Sequence, residues 1–176
     1  MNRLHCIEKL ASTGNVFTET LLQAIHTTAT HIPSKGVTGE MLDVLQSRVD
    51  FTIAPIAPIE LALPQLKSGK IGVLAQTASR RSKRVPDVST VGESGYPGFE
   101  ATFWTGLYAP SGTPIAIVTK LNRAINEMLT RPDVLNVLEH HGMKPSGGTA
   151  EQFLLRNKAD RGRFSAVTKS ANITAD

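Results

Sequence analysis

The residues best suited to chemistry in this sequence are small, polar and flanked by helix-forming patterns. Ser12-Thr13-Gly14-Asn15 leads into an amphipathic stretch whose first turn includes Thr18. Backbone N–H groups at a helix N-terminus lack intrahelical acceptors. Together with small hydroxyls they form a natural cradle for a carboxylate or phosphate. Gly14 permits close backbone approach. An ordinary N-cap has the same composition, so this loop alone leaves both readings open. A second stretch, Ser34-Lys35-Gly36, follows a short extended piece and precedes another helix pattern. Both loops are expected at the carboxyl ends of parallel strands, where open α/β sheets bind ligands. The candidate ligand-binding residues are therefore Ser12, Thr13, Gly14, Asn15, Thr18, Ser34, Lys35 and Gly36.

Familiar catalytic and cofactor signatures are missing. The sequence has no G-x-S-x-G elbow, no P-loop, no G-x-G-x-x-G and no H-E-x-x-H. His140-His141 reads either as a metal pair or as two imidazoles at a helix C-terminus, where the dipole favours them. Asp50 is either a functional strand-end carboxylate or the polar entry of a strand. Cys6 is the single cysteine, which rules out an internal disulfide and a Cys-rich metal site. His5 beside Cys6 is not a dyad, since neighbouring side chains rarely face each other, and this pair is expected at a surface or fraying position. No metal and no cofactor are expected, and no familiar catalytic constellation is present.

These residues must be positioned by short β/α units. Thr18 to about Thr28 reads as a helix with Leu21, Leu22 and Ile25 on one face, and 30–33 as a short extended piece. A second helix begins at Thr38 or Gly39, with Met41, Leu42 and Leu45 as its apolar stripe. Val49 to Ala54 and Ile71 to Thr77 read as buried strands joined through a short helix, 59–67, that Ser68-Gly69 closes. That rhythm predicts a right-handed crossover in a mainly parallel sheet. Phe99 to Ala109 is strand-like. Beyond it, Thr113 and Pro114 start an amphipathic helix with Ile117, Leu121 and Ile125 on its stripe. Pro132 starts another, stopped at Gly142, and Thr149 to Gln152 fits a capping box for a last helix running from about Ala150 towards Lys169. The chain divides near Gly106 into an α/β part, residues 1–105, and a mainly helical part, residues 106–176.

Composition sets outer bounds. The 40% hydrophobic and 19% charged shares are those of a folded globular chain, and 176 residues are enough for one good core or two small lobes. The net charge of +4 permits anion binding without demanding nucleic acid. Part of the excess sits in Arg80-Arg81-Ser82-Lys83-Arg84, which reads as a solvated loop: no aromatics interleave with it, as a single-strand binder would need. The most apolar window, 51–64, is broken by Pro55, Pro58 and Pro64, so membrane insertion is not expected. Residues 1–12 contain neither an h-region nor a small-residue cleavage site, so no signal peptide is expected in this chain.

The passage RVPDVSTVGESGYPGFEATFWTGLYAPSGTP, Arg84 to Pro114, resembles the signature region of the tripartite tricarboxylate transporter substrate-binding proteins, also called Bug-family receptors. The flanks agree: Gly69-Lys70-Ile71 with Leu74-Ala75 and Thr77, then Lys120-Leu121-Asn122, Asn126, Arg131-Pro132-Asp133-Val134 and Gly147-Gly148-Thr149. Upstream, Ser12, Gly14 and Asn15 resemble the family's S-x-G-N loop, His31 to Gly36 its H-V-P-Y-K-G loop, and Val49-Asp50 the start of the following strand. Val16-Phe17 stand where small residues are usual, Thr20 where a His is common, and Ser34 in place of a Tyr. Phe17 is expected either to fill the cradle or to turn outward.

The resemblance implies a type II periplasmic-binding-protein-like α/β fold. One lobe is nearly complete around a parallel sheet, and C-terminal helices belong to an incomplete first lobe. It implies a periplasmic solute receptor that captures a small organic carboxylate through loop amides and hydroxyls and serves membrane transporter subunits. The alternative is a truncated, non-binding remnant or interaction module of the same family. By this alignment the family's leading residues have no counterpart here, so Ile117, Leu121 and Ile125 are expected to stay partly exposed.

Overall fold

The computed structural model describes residues 3–7, 12–34, 36–55 and 64–173. Three strands, β1 (Arg3–Ile7), β2 (Ala29–Pro33) and β3 (Phe51–Thr52), form one sheet in the order β2-β1-β3, with both pairings parallel. The helices that lie wholly within the described residues are α1 (Thr13–Ala24), α2 (Val37–Leu45), α3 (Ile115–Met128), α4 (Pro132–His140) and α5 (Ala150–Ser170). The expected parallel α/β sheet is present, but it is built from different segments. The crossover units are β1-α1-β2 and β2-α2-β3. The chain goes one way across the sheet and then back past β1. Two right-handed crossovers of opposite direction place α1 and α2 on opposite faces.

Several segments differ from their sequence readings. His5 and Cys6 belong to the central strand rather than a fraying surface, and His5 is fully buried. Val49 to Ala54 shortens to Phe51–Thr52, because Asp50 ends the ladder. Its N–H donates to the Leu4 carbonyl at 2.8 Å and its Oδ2 accepts from the Leu4 N–H at 2.7 Å. Asp50 is thus the polar entry to β3. Ile71 to Thr77 is not a strand: Leu74 is 84% exposed, and only Gln76 makes a bridge, to Thr90. A side chain organises this segment instead of a ladder. The Gln76 amide donates to the carbonyls of Val85 and Val88 at 2.9 and 2.7 Å and accepts from the Ser82 N–H at 2.7 Å. Residues 101–110 likewise carry no regular structure. The reading of a helix from 59 to 67 lies partly outside the described residues; 64–67 are helical.

Helix ends follow one device. After α1 the Thr27 N–H bonds the Leu22 carbonyl and the His26 N–H that of Gln23, with His26 left-handed at φ 51°. Ser47, at φ 56°, closes α2 in the same way. This is the Schellman motif, whose left-handed residue is usually glycine. Glycine does end the turn at Gly69 and α4 at Gly142, as expected. Because His26 carries no such signal, α1 ends at Ala24, about a turn before the expected Thr28. Its start moves as well: Ser12 is the N-cap, its Oγ accepting the Asn15 N–H at 3.2 Å, so 13–15 are helical rather than a turn. α3 begins at Ile115 with Pro114 as its cap residue, and Thr113 instead bonds the Pro110 carbonyl.

The chain folds into two compact units, one of residues 1–103 with 164–176 and one of residues 104–163. In the first unit the core gathers around Phe17, which is 1% exposed. It neither fills the cradle nor turns outward. Its ring packs on Phe103 and Phe164, with centroids 4.8 and 5.5 Å away. In the second unit Trp104 and Tyr108 pack on Phe153. A Cβ at Gly106 would overlap the Phe153 ring, so only glycine fits there. Asn126 ties α3 to the linker before α5: it accepts the Gly148 N–H at 2.7 Å and donates to the carbonyls of Gly148 and Asn122 at 3.0 and 2.8 Å. Thr149 and Gln152 form the expected capping box, with reciprocal bonds of 3.1 and 2.9 Å. Ile117 and Leu121 are 50% and 46% exposed and Ile125 is partly covered, as expected.

Two stability effects follow. Ser47→Gly should raise the unfolding free energy by about 0.5–1 kcal/mol, since glycine accepts the left-handed conformation without a Cβ penalty. Asn126→Ala should lower it by about 1–2 kcal/mol, by stranding the Gly148 amide, while the Gly148 carbonyl keeps its bond from Asn122 at 2.9 Å. Urea titrations of both variants measure these changes.

Candidate functional site

β1 and β2 pair in register from Arg3↔Ala29 to Ile7↔Pro33, so the two strands end level. The chain that leaves β1 enters α1 at Ser12, and the chain that leaves β2 enters α2 at Gly36. Two helix N-termini therefore lie along one carboxyl edge of the sheet. The first intrahelical bond of α1 runs from the Val16 N–H to the Ser12 carbonyl, and that of α2 from the Glu40 N–H to the Gly36 carbonyl. The N–H groups of Thr13 and Gly14, and of Val37 and Thr38, precede any intrahelical acceptor. Each helix end also carries about half a positive charge from its aligned peptide dipoles. At Gly36 φ is 86°, a conformation that favours glycine, and no side chain caps α2.

The expected site residues divide by what their side chains do. Thr13 is exposed at the start of α1, and Ser12 is half-buried as its cap. Asn15 and Thr18 are buried, and the Thr18 hydroxyl donates to the Gly14 carbonyl at 2.9 Å. Ser34 turns towards α2, its hydroxyl 3.5 Å from Asp43 Oδ2, and Asp43 also pairs with Arg48 at 3.3 Å. Lys35 lies outside the described residues. Inside the body of this unit, Glu40 is buried in α2 and accepts the Thr52 hydroxyl at 3.0 Å.

Below the same edge lies a feature the sequence reading missed. His31, His5 and Phe51 stand side by side across the three strands. The His5 ring is 5.5 Å from that of His31 and 5.6 Å from that of Phe51. Thr52 reaches α2, so its strand neighbour Phe51, and the His5 and His31 level with it, belong to the opposite face. Neither ring nitrogen of His5 has a hydrogen-bond partner among the described residues. Burial, then the neighbouring His31, holds its pKa down to about 4. The available signal was the apolar company of His5 in Leu4-His5-Cys6-Ile7, which local polarity at 1–3 obscured. On α1, burial raises the Glu19 carboxyl above its ordinary value.

Other polar residues have local structural roles. His140 closes the last turn of α4 and His141 is its cap residue. Within the basic run, Arg81 is tied to Glu93 Oε2 at 2.8 Å and to the Pro86 carbonyl at 3.0 Å, while Arg80 and Lys83 are exposed. The Thr90 backbone N–H, then Arg81, holds the Glu93 carboxyl below its usual range.

A parallel sheet with two helix N-termini at one carboxyl edge is an α/β arrangement of the kind found in periplasmic-binding-protein folds. Residues 9–172 match the family described as tripartite tricarboxylate transporter family receptor, and the chain belongs to that family. It is 33% identical over 146 residues to protein BugT of Bordetella pertussis, covering 83% of this chain and 44% of that protein. Among solved structures it resembles R. palustris Rpa4515 with adipate, with TM-score 0.78 and 30% identity over 98% of this chain and 56% of the other. It also resembles MatC from Rhodopseudomonas palustris with bound malate, with TM-score 0.71 and 30% identity over 94% of this chain and 56% of the other. The chain thus spans about half the length of each of these three proteins.

His5 makes stability depend on pH. Its folded pKa of about 4 lies below the 6.5 of the unfolded chain, so between these values the unfolded state binds the proton first. Stability should fall as pH drops through this window, by roughly 2–3 kcal/mol in all. Chemical denaturation at a series of pH values checks this, and His5→Phe should flatten that part of the profile.

Proposed function

We propose that this chain is a ligand-binding part of a solute receptor that captures a small organic carboxylate. The observation that carries the reading is the level ending of β1 and β2, which brings the N-termini of α1 and α2 to one edge. Amide clusters of this kind favour carboxylates. The family match and the adipate and malate named for two structural neighbours point the same way. The ligand-binding residues in this reading are Ser12, Thr13, Gly14, Asn15, Thr18, Ser34, Lys35 and Gly36. Thr13, Gly14 and Gly36 offer backbone at the edge, and Ser12 and Thr13 add hydroxyls. Asn15, Thr18 and Ser34 hold the helix starts in place, and Lys35 adds a positive charge. The reading requires no catalytic step and no cofactor. It places the protein in the periplasm, delivering its ligand to membrane transporter subunits.

Calorimetry with adipate, malate and a tricarboxylate tests the proposal: binding of at least one is expected, and no heat with any of them overturns it. Thr13→Glu separates binding from folding. A carboxylate in the first turn of α1 complements the helix dipole and should leave stability unchanged or slightly higher. The same charge repels an anionic ligand and should weaken binding at least about tenfold.

A further inference from the structure

His5 is the buried titratable group that nothing else in the structure uses. It is 0% exposed, it lies in the central strand, and neither of its nitrogens is paired among the described residues. Buried polar groups without partners are rare, and each calls for a physical reason. Its position supplies one. β1 ends at Ile7, two residues beyond His5, or about 7 Å along a strand. His31 stands level with it on β2, two residues before Pro33. Both imidazoles thus lie one step beneath the edge where the two helix N-termini converge.

We propose that under acid conditions, below about pH 6, carboxylate capture at this edge is proton-linked through His5, which takes up a proton from solvent as the anion binds and returns it as the anion leaves. This rests on the reading of that edge as a carboxylate site. The charges around His5 leave room for such coupling. The other titratable groups on β1 are Arg3, which is exposed, and the thiol of Cys6, which carries no charge when protonated; His31 is the one on β2, and β3 has none. Asp50, just before β3, is bound to the backbone of Leu4. On α1 the titratable residue is Glu19, whose carboxyl burial raises above its ordinary value. Glu40 and Asp43 belong to α2, across the sheet. The Phe164 end of α5, which packs on Phe17, carries Lys169, which is exposed. The neighbouring charged group that acts on His5 among the described residues is His31, which opposes protonation, and a bound ligand would be the first anion to favour it. An anion at about 8–10 Å in a poorly hydrated interior raises the midpoint of such a group by about one pH unit or more.

Ring-nitrogen NMR of the full chain, titrated from about pH 8 to about pH 4 with and without saturating adipate, tests the linkage. The expected result is a His5 midpoint near 4 in the free chain that rises by about one pH unit with adipate. In parallel, the ratio of adipate Kd between His5→Phe and the natural chain should rise about twofold from pH 7 to pH 5. Using the ratio cancels the ligand's own protonation. Adipate binding with an unmoved His5 midpoint overturns the linkage alone. No adipate, malate or tricarboxylate binding at any pH overturns the carboxylate site and the linkage with it. Should His5→Phe fail to fold, the NMR titration of the natural chain decides by itself.

Discussion

The parallel pairing of β1 with β2, from Arg3↔Ala29 to Ile7↔Pro33, is the constraint on which the site depends. Equal strand ends put the starts of α1 and α2 at one height. The reversal of crossover direction puts the two helices on opposite faces of the sheet. A slip of one residue would turn His5 and His31 to opposite faces and offset the two helix starts. β3 holds β1 from the other side through two paired residues and the double link between Asp50 and Leu4. That link matters because a strand this short has little else to fix its register.

Central position has a cost, and His5 bears it. An aromatic ring in the middle strand gains stacking on both sides, from His31 and from Phe51. A histidine adds two nitrogens that need partners, and a buried unsatisfied group costs about 1–3 kcal/mol. A phenylalanine would keep the stacking without that cost. Polarity at this position is therefore hard to explain by packing alone, and burial together with His31 makes the neutral ring the stable one.

The α/β class, the parallel sheet, the capping box at Thr149 and the glycine stops at Gly69 and Gly142 were legible in the sequence because each has a strong local cause. The two edge loops were legible as segments that lead into helices, but each helix begins earlier than expected, with Ser12 and Gly36 as the cap residues. What was not legible depends on partners far along the chain. Arg3 to Ile7 becomes a strand only between Ala29–Pro33 and Phe51–Thr52. Ile71 to Thr77 has strand composition but no ladder, because only Gln76 meets another strand-like segment among the described residues. The left-handed His26 and Ser47 end helices without the residue that usually announces it. Phe17 looked like an obstacle in the cradle because the aromatic partners that draw it inward, Phe103 and Phe164, lie far along the chain.

The passage that identifies the family, Arg84 to Pro114, does none of the binding in this reading. Its residues are fixed by packing instead. Gln76 staples Val85 and Val88, and the Ala101 N–H bonds the Thr77 carbonyl at 2.8 Å. Phe103 packs on Phe17 in the first unit, while Trp104 packs on Phe153 and donates to Asp160 at 2.7 Å in the second. Adjacent side chains thus commit to different cores, and glycine at 106 is forced by the ring beside it. Positions constrained this tightly admit few residue types, which makes the passage a good marker of ancestry. The carboxyl edge works the other way. In the proposed reading it offers mostly backbone amides, which any sequence compatible with a helix start supplies. Ancestry is therefore written where packing is strict, and in that reading ligand choice rests on the few side chains around Ser12 to Thr13 and Ser34 to Gly36.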